Sequence, residues 1–233
     1  MTDTTTQKRG ADHLVDGLAA LGIDTVYSLS GNQIMPVYDA LIGSGLRLVH
    51  TRHEAAAVHM AEADAQLTNR VGVALLTAGP GFANGLSAIF TAQQSQTPVL
   101  VLTGDAPLAR DGHGAFQEMD QLTAAGAFAK ASIKLARAED AFDLIRDAAA
   151  FARGGTPGPV HISLPDDVLR KTTGRDGARR NPALARTEPA STGPVARIAE
   201  RIRAAKRPLI VAGPAFARQA HEAALASLSL IHI

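Results

Sequence analysis

A continuous apolar run at residues 71–76 (Val-Gly-Val-Ala-Leu-Leu) constrains the fold of this 233-residue chain more than any other feature. A run of this kind is typical of a strand that is buried on both faces of a parallel sheet. Residues 77–85 (Thr-Ala-Gly-Pro-Gly-Phe-Ala-Asn-Gly) follow it directly and predict a glycine-rich turn that leads into a helix. The pair therefore indicates a strand–turn–helix unit of an α/β protein.

The same order of strand and helix recurs along residues 11–163. The periodicity of the apolar residues predicts helices at residues 11–21, 36–42, 54–67, 82–94, 122–127 and 139–153. It predicts strands at residues 25–28, 46–50, 71–76, 99–103, 132–135 and 160–163. Strands that alternate with helices predict an α/β fold with a doubly wound, mostly parallel sheet flanked by helices.

Glu54 begins a helix that is built almost entirely of small residues. Thr51 stands three positions earlier, which matches a capping box in which each side chain bonds the other residue's amide. A glutamate in the first turn also complements the helix dipole. A zinc site is not predicted, because the zinc-protease helix requires a second histidine where this chain has Ala57. The local pattern alone therefore favours a helix cap for Glu54.

The glycine-rich turn admits two interpretations as a ligand site. A strand followed by a helix N-terminus lets backbone amides face a bound anion. Gly79, Gly81 and Gly85, with Asp105 near the end of the next strand, also imitate a dinucleotide fingerprint of variant spacing. That fingerprint usually opens the first strand–helix unit of a domain, whereas two predicted strands precede it here. Residues 112–120 form a further polar and aromatic loop of the kind that binds ligands at strand ends.

Three segments together resemble the pyrimidine-binding domain of thiamine-diphosphate enzymes, in the acetolactate synthase-like branch. They are an Arg-His-Glu helix at residues 52–63, a Thr-x-Gly-Pro-Gly-x-x-Asn turn at residues 77–84 and a Phe-Gln-Glu loop at residues 116–118. Residues 22–27 and 154–162 also resemble the opening and closing strands of that family. The resemblance extends over roughly residues 10–170, in a matching order.

The resemblance implies a catalytic role for Glu54. In this family the corresponding glutamate hydrogen-bonds a ring nitrogen of the aminopyrimidine and favours its imino tautomer, which removes the proton from the thiazolium carbon. The carbanion then attacks a 2-keto acid, and the cofactor accepts the electrons released by decarboxylation. A carboxylate in a dry pocket can exchange that proton near neutral pH, so the role requires Glu54 to be shielded from water.

The resemblance implies further cofactor contacts. Together with Glu54, the residues expected to bind the cofactor are Ser30, Gly31, Thr77, Pro80, Asn84 and Gln117. Purely structural roles stay open for three of them: Pro80 in a tight strand-to-helix connection, Asn84 as a first-turn polar residue, and Gln117 in loop hydrogen bonding. Acetolactate synthases usually carry a Pro-Gly-Gly turn just after the opening strand, where this chain has Leu29-Ser30-Gly31-Asn32-Gln33, so the substrate stays open.

The implied activity is that of a 2-keto acid decarboxylase or carboligase of the acetolactate synthase type. Residues 117–122 (Gln-Glu-Met-Asp-Gln-Leu) also resemble oxalyl-CoA decarboxylase and 2-hydroxyacyl-CoA lyase, which act on acyl-CoA. A non-catalytic pyrimidine-domain subunit that needs a partner chain is a third alternative. The family forms homodimers or homotetramers, and we expect the same assembly here.

The sequence contains no Gly-Asp-Gly motif, which in this family holds the metal and the diphosphate. We therefore expect no metal ligand in this chain, Mg²⁺ ligands on a C-terminal domain outside it, and no activity of the chain alone. FAD or ADP in a central domain is compatible with the family, but no residue here supports either.

Composition and charge limit the class of partner. The chain has 23 basic and 22 acidic residues, a net charge of +1, which gives no electrostatic case for nucleic acid or membrane binding. No cysteine and no apolar run of about 18 residues are present, so a cytoplasmic protein without a membrane span is predicted.

The domain organisation predicted from composition has four parts. These are a flexible N-terminus (1–10), the pyrimidine-binding domain (11–170), an Arg-, Pro- and Gly-rich linker (171–191) and the incomplete start of a second α/β domain (192–233). In the last part we expect a helix at 195–205 with Ile198 and Ile202 inward, a strand at 208–212 and a helix at 219–228. The abrupt end suggests a truncated gene.

Overall fold

The computed structural model describes residues 7–173, 184, 192–207 and 209. The chain divides into two compact units, Met1–Ala185 and Arg186–Ile233. The helix predicted at 219–228, and the strand predicted at 208–212 apart from residue 209, lie outside the described residues. The predicted bounds of the terminus, the first domain and the linker stay predictions.

Six strands of the first unit form one sheet in which every neighbouring pair is parallel. They are β2 (Thr25–Ser28), β3 (Arg47–His50), β4 (Gly72–Leu76), β5 (Val99–Asp105), β6 (Ala131–Lys134) and β7 (Val160–Pro165). Their order across the sheet is β3-β2-β4-β5-β7-β6. The α/β prediction is therefore confirmed, and each strand predicted for the first domain is found within two residues of its predicted ends.

A separate two-stranded ribbon pairs the ends of this unit. Strand β1 (Lys8–Arg9) runs antiparallel to β8 (Thr172–Thr173). Regular structure thus begins inside the range 1–10 that was predicted to be flexible, and β8 lies at the second and third residues of the predicted linker. The sequence analysis did not predict this ribbon, because two-residue strands carry no periodicity.

Eight helices lie in the described part of the chain. They are α1 (Gly10–Ala20), α2 (Met35–Leu41), α3 (Glu54–Thr68), α4 (Pro80–Gln94), α5 (Gln121–Gly126), α6 (Ala141–Arg153), α7 (Asp166–Arg170) and α8 (Thr192–Ala204). Short 3₁₀ helices occupy Asn32–Ile34, Leu108–Arg110 and Ala138–Asp140. The six helices predicted for the first domain are found within two residues of their predicted ends, and α7 was not predicted.

Alternate side chains of β4 enter two different cores. Val73 and Leu75 pack on one face of the sheet with the buried residues of α1, α2 and α6. Ala74 and Leu76 pack on the other face with those of α3, α4 and α5. All four side chains are fully buried, which confirms that the apolar run is a strand covered on both faces.

Helix α3 lies unusually close to β4. Its buried face consists of small residues such as Ala57, Ala61 and Ala65. A Cβ atom at Gly72 of β4 would lie 1.9 Å from the carbonyl oxygen of Ala61, so only glycine is compatible with this approach. The small residues of α3 thus allow the middle of the helix to pack directly against the start of β4.

Helix α8 confirms the helix predicted at 195–205, but the prediction that its isoleucines face inward is wrong. Ile198 and Ile202 are 58% and 52% exposed. The described residues of the second unit supply no apolar surface that covers this face of α8. Among the helices that the structure describes, none is long and apolar enough to cross a membrane.

Candidate functional site

The sheet contains a topological switch point between β2 and β4. From β2 the chain first adds β3 on one side, and it then returns to add β4 and β5 on the other. Open α/β sheets bind ligands in the crevice at the carboxyl ends of the strands that flank such a point. Residues 29–34 leave β2 and residues 77–84 leave β4 at this place. The topology therefore selects the glycine-rich turn, one of the segments on which the family resemblance rests, together with the segment around Ser30 and Gly31 that departs from the family.

Glu54 lies at this end of the sheet as the first residue of α3. Its side chain is buried, and its Oε2 atom accepts a hydrogen bond of 3.0 Å from Nδ2 of Asn84 on α4. Among the described residues, none donates a hydrogen bond to the other oxygen, Oε1. A Cβ atom at Gly81 would lie 3.2 Å from Oε1, so this glycine leaves space beside the oxygen. One carboxylate oxygen is thus oriented, and the other is available to a ligand.

The capping box predicted for Thr51 and Glu54 is wrong. The N-cap is His53, whose Nδ1 accepts from the amide of Ala55. The Thr51 hydroxyl bonds the carbonyl oxygens of Ser28 and His53 at 3.3 and 3.0 Å instead. Because the helix begins directly after His53, Glu54 is its first residue and its carboxylate extends towards Asn84. The local rule failed because a tertiary contact takes the carboxylate.

Thr77 connects the segment that leaves β2 with the segment that leaves β4. Its hydroxyl donates a 2.8 Å hydrogen bond to Oε1 of Gln33, which is buried. A Cβ atom at Gly31 would lie 2.3 Å from Cβ and Oγ1 of Thr77, and one at Gly81 would lie 2.5 Å from its Cγ2. Two glycines therefore surround the threonine side chain and keep this end of the sheet free of further side-chain atoms.

Gln117 approaches the same place from the loop that follows β5. Its φ of 61° lies in the left-handed region, which is uncommon for a residue other than glycine. Gly79, with φ of 55°, faces it: a Cβ atom there would lie 2.6 Å from the Gln117 carbonyl oxygen and 3.1 Å from its Cβ. The Gln117 backbone thus packs against the turn that begins α4.

The structure brings most of the predicted site residues together. Contacts link Glu54 to Asn84 and Gly81, Gly31 to Thr77, and Gln117 to Gly79. Pro80 is the first residue of α4, where a proline suits the helix start, and it is exposed. Ser30 adjoins Gly31, but its hydroxyl lies 3.4 Å from Nε2 of His50, which is at the end of β3 and was not a predicted site residue. Among the described residues, the Ser30 hydroxyl bonds none of the predicted site residues. The assignment of all seven to a cofactor stays a prediction.

Two glutamines complete the site and were not among the predicted residues. Gln33 accepts from Thr77, and a Cβ atom at Gly104 of β5 would lie 2.7 Å from its Cβ. Gln121, buried at the start of α5, donates a 3.0 Å hydrogen bond to the Gly104 carbonyl oxygen. Neither a glutamine in a three-residue 3₁₀ helix nor one at a helix start has a recognisable pattern in a single sequence. The proximity of Gln33 to Gly31 was the one available signal.

The surroundings of Asp105 do not fit the dinucleotide-binding alternative, in which this residue would bind a ribose hydroxyl. Its side chain is 3% exposed and already bonds the hydroxyl of Ser163 at 2.5 Å and the amide of Ala106 at 2.8 Å. It also forms an ion pair of 3.2 Å with Lys134. A ribose hydroxyl would have to displace these partners, which makes Asp105 unsuitable as the acidic residue of that motif.

Below the start of α4, His161 is fully buried in β7. Its ring nitrogens lie 2.8 Å from the hydroxyls of Thr103 and Ser132, and its ring centre lies 5.1 Å from that of Phe82 on α4. Burial lowers the pKa of His161 to about 3. The neutral imidazole is therefore part of the support beneath the glycine-rich turn.

This burial predicts a pH dependence of stability. Because the folded pKa lies below the usual value near 6.5, the contribution of His161 is complete above pH 6.5 and decreases as the pH falls towards 3, by about 1.4 kcal/mol per unit. Urea unfolding between pH 7 and 5 should show a shallower pH slope for His161→Gln than for the unsubstituted chain. His113→Gln, at an exposed histidine, is the control. Equal slopes for all three proteins would contradict the prediction.

The described residues include no group of three or more His, Cys, Asp or Glu side chains that could hold a metal ion. The side-chain groups that meet at the switch point include a carboxylate, two amides and a hydroxyl, from Glu54, Asn84, Gln33 and Thr77. These groups adjoin the space at Gly31 and Gly81.

This chain matches a family model and several curated proteins. Residues 8–124 match the family model described as "Thiamine pyrophosphate enzyme, N-terminal TPP binding domain". The chain is 40% identical to human 2-hydroxyacyl-CoA lyase 2 over 167 residues, covering 72% of this chain and 26% of that protein. It is 34% identical to the probable acetolactate synthase large subunit of Methanocaldococcus jannaschii over 213 residues (88% and 36%). It is 39% identical to acetolactate synthase large subunit IlvG of Mycobacterium tuberculosis over 199 residues (84% and 36%).

The chain spans between about a quarter and a little over a third of the length of these curated relatives. The family match extends from β1 to the middle of α5 and includes all of the predicted site residues. The fold, the switch point and the matched segments agree on one assignment: this chain belongs to the thiamine pyrophosphate enzyme family and contains its N-terminal TPP binding domain.

Proposed function

We propose that this chain supplies the pyrimidine-binding part of a thiamine-diphosphate-dependent lyase or carboligase, with Glu54 as the catalytic carboxylate. The observation that carries the proposal is the free Oε1 of buried Glu54 beside the space at Gly81. An aminopyrimidine presents ring nitrogens that can share a proton with a carboxylate. A buried carboxylate with one oxygen already oriented is suited to that exchange.

The described residues suit such a ring in shape as well as in chemistry. A side chain at Gly31 or Gly81 would fill the space next to Thr77, so both glycines preserve room for a flat group. Asn84 holds Oε2 of Glu54 at 3.0 Å, and Oε1 lies beside Gly81 in the first turn of α4. We assign Ser30 and Pro80 to the edge of the site, where both are exposed.

Each residue has a distinct task in the proposed reaction. When bound, thiamine diphosphate supplies an electron sink for breaking a bond next to a carbonyl group. Glu54 Oε1 would hold and return the proton at a ring nitrogen, from a side chain that is only 7% exposed. The Thr77–Gln33 hydrogen bond fixes the wall that carries Gly31. Gln117, held against Gly79, borders the place from which a substrate would enter.

We propose a 2-keto acid as substrate, as in acetolactate synthase, and an acyl-CoA substrate as the alternative. Matches to acetolactate synthases support the former, and matches to 2-hydroxyacyl-CoA lyase 2 support the latter. To distinguish the two, the full-length protein is incubated with each class of substrate in the presence of thiamine diphosphate and magnesium, and the products are identified. A carboligation product from the keto acid supports the first. Cleavage of only a 2-hydroxyacyl-CoA supports the second. Bound cofactor without turnover of either supports a non-catalytic subunit.

We further propose that Mg²⁺ and the diphosphate are held by residues outside residues 1–233. The diphosphate carries most of the cofactor's charge, and Mg²⁺ requires several oxygen ligands around it. Residues 1–233 alone are therefore expected to bind thiamine diphosphate weakly and to catalyse no turnover. Calorimetric titration with cofactor and magnesium measures this directly. Tight, magnesium-dependent binding would show that the division between the two halves is wrong. No described residue supports binding of FAD or ADP.

We propose a homodimer as the minimal assembly, with pairs of dimers as a larger form. Helix α3 carries Met60, which is 43% exposed, beside small residues that allow a second helix to approach closely. Helix α4 carries Phe90, which is 47% exposed, on the same side of the sheet. Sedimentation of full-length protein as a monomer with bound cofactor would exclude this assembly.

We expect the enzyme in the cytoplasm, which cell fractionation tests.

A further inference from the structure

The loop before Gln117 receives little support from packing. Gly112 and Gly114 have φ of 77° and 67°, and a Cβ atom at either would meet no atom within 4 Å. Phe116 is 75% exposed, so its ring does not anchor the loop in a core. Glycine adopts many backbone conformations, so the two glycines do not by themselves fix the loop. Because packing does not fix it either, its conformation requires specific hydrogen bonds.

Glu118 supplies such bonds from a single carboxylate. Oε1 accepts from the amide of Gly112, and Oε2 accepts from the amide of Ala115 at 2.8 Å. The amide of Glu118 in turn donates to the Ala115 carbonyl oxygen at 3.0 Å. Hydrogen bonds to an ionised carboxylate are stronger than neutral ones. The carboxylate thus closes residues 112–118 into a compact loop, which we call the Glu118 loop.

Closure of the Glu118 loop coincides with strain at the neighbouring residue. Gln117 occupies the left-handed region, a conformation that costs free energy for a side chain of its kind. Its carbonyl oxygen and Cβ lie against Gly79, directly before Pro80 and Gly81 of α4. A strained residue persists when its surroundings determine its conformation, and the neighbouring Glu118 bonds Gly112 and Ala115 on the N-terminal side of Gln117.

Neighbouring charged groups have other partners. Asp111 pairs with Lys134 at 2.9 Å, and Asp120 accepts from the amide of Thr123 as the cap of α5. These groups line one cavity of about 380 Å³ together with Glu118. Since Asp111 and Asp120 are engaged elsewhere, the loop amides of Gly112 and Ala115 depend on Glu118.

We propose that Glu118 is a positioning residue that holds Gln117 against Gly79 and so fixes the entrance of the cofactor site. The part that concerns binding and turnover rests on the proposed function. The part that concerns the Glu118 loop rests on the contacts alone. Glu118 acts through Gln117 and touches no reacting atom.

Amide hydrogen exchange of the 233-residue chain tests the structural part without any cofactor. Glu118→Ala should raise the exchange rates of the Gly112 and Ala115 amides by about tenfold or more, the effect of losing a charge-assisted hydrogen bond. Glu118→Gln, with one acceptor oxygen, should restore protection at one of the two amides. Asp120→Asn is the matched control, because asparagine also caps helices and the loop bonds remain. Unchanged exchange in Glu118→Ala would overturn the proposal.

Steady-state kinetics of the full-length enzyme test the positioning part. Glu118→Ala should raise KM for the substrate about tenfold while kcat changes less, and Glu118→Gln should recover part of the loss. Exchange at Gly79 and Gly81 should rise in parallel. A released loop with unchanged KM and unchanged exchange at Gly79 would overturn the positioning role. If the unsubstituted enzyme turns over nothing, the proposed function fails instead, and the exchange result still stands on its own.

Discussion

Replacement of Glu54 by glutamine is expected to slow proton exchange at the thiazolium carbon of bound cofactor by about 10²- to 10⁴-fold in the full-length enzyme, the usual contribution of a proton-transfer group. Glutamine retains an oxygen that can accept from Asn84, so the local structure should survive. Its amide cannot take and return a proton as a carboxylate does. Deuterium incorporation into enzyme-bound thiamine diphosphate, followed by quenched NMR, measures the rate.

Glu62→Gln is the matched control for this experiment. Glu62 lies on the same helix, is also 7% exposed, and accepts from Gln66 and Ser95 away from the switch point. The same substitution there should leave the exchange rate near that of the unsubstituted enzyme. An unchanged rate in Glu54→Gln, with cofactor bound, would leave Glu54 a packing role at the start of α3. Equal losses in both variants would indicate a general effect of removing a buried carboxylate.

The architecture could be predicted from the sequence because its signals are local. The run at residues 71–76 is apolar on both faces, and β4 is indeed buried between two cores. Helices α3 and α4 carry their periodicity over four turns each. Strand order was not accessible, because the pairing of β5 with β7 rather than β6 depends on contacts between residues about 60 positions apart.

The site was predicted less completely, for a physical reason. Glu54 and Asn84 could be proposed because they stand in recognisable segments, but the bond between them joins two helices 30 residues apart. The capping box was wrong since that bond takes the carboxylate. Gln33 was missed because its importance comes from one hydrogen bond to Thr77, 44 residues away. Local sequence patterns predicted which segments lie together at the site. The hydrogen bonds between distant residues, which determine the individual atomic contacts, could not be predicted from them.

The close approach of α3 to β4 predicts the largest effect on stability. Gly72→Ala would place a Cβ atom 1.9 Å from the carbonyl oxygen of Ala61, and a backbone group cannot rotate away as a side chain can. Helix α3 must therefore move, and its first residue, Glu54, moves with it. We expect a loss of about 3 kcal/mol in the free energy of unfolding, which lowers Tm by about 6–12 °C in a protein of this size.

Gly126→Ala separates this clash from the general cost of replacing a glycine. A Cβ atom at Gly126 would meet nothing within 4 Å, and the residue ends α5 with ordinary backbone angles, so alanine should be neutral or stabilise by up to about 1 kcal/mol. Thermal unfolding of both variants beside the unsubstituted chain gives the comparison. In the full-length enzyme Gly72→Ala should also weaken cofactor binding at temperatures where it is folded, because the Glu54–Asn84 contact lengthens. A Tm for Gly72→Ala equal to that of Gly126→Ala would mean that α3 and β4 can separate without cost, and the position of Glu54 would then need another support.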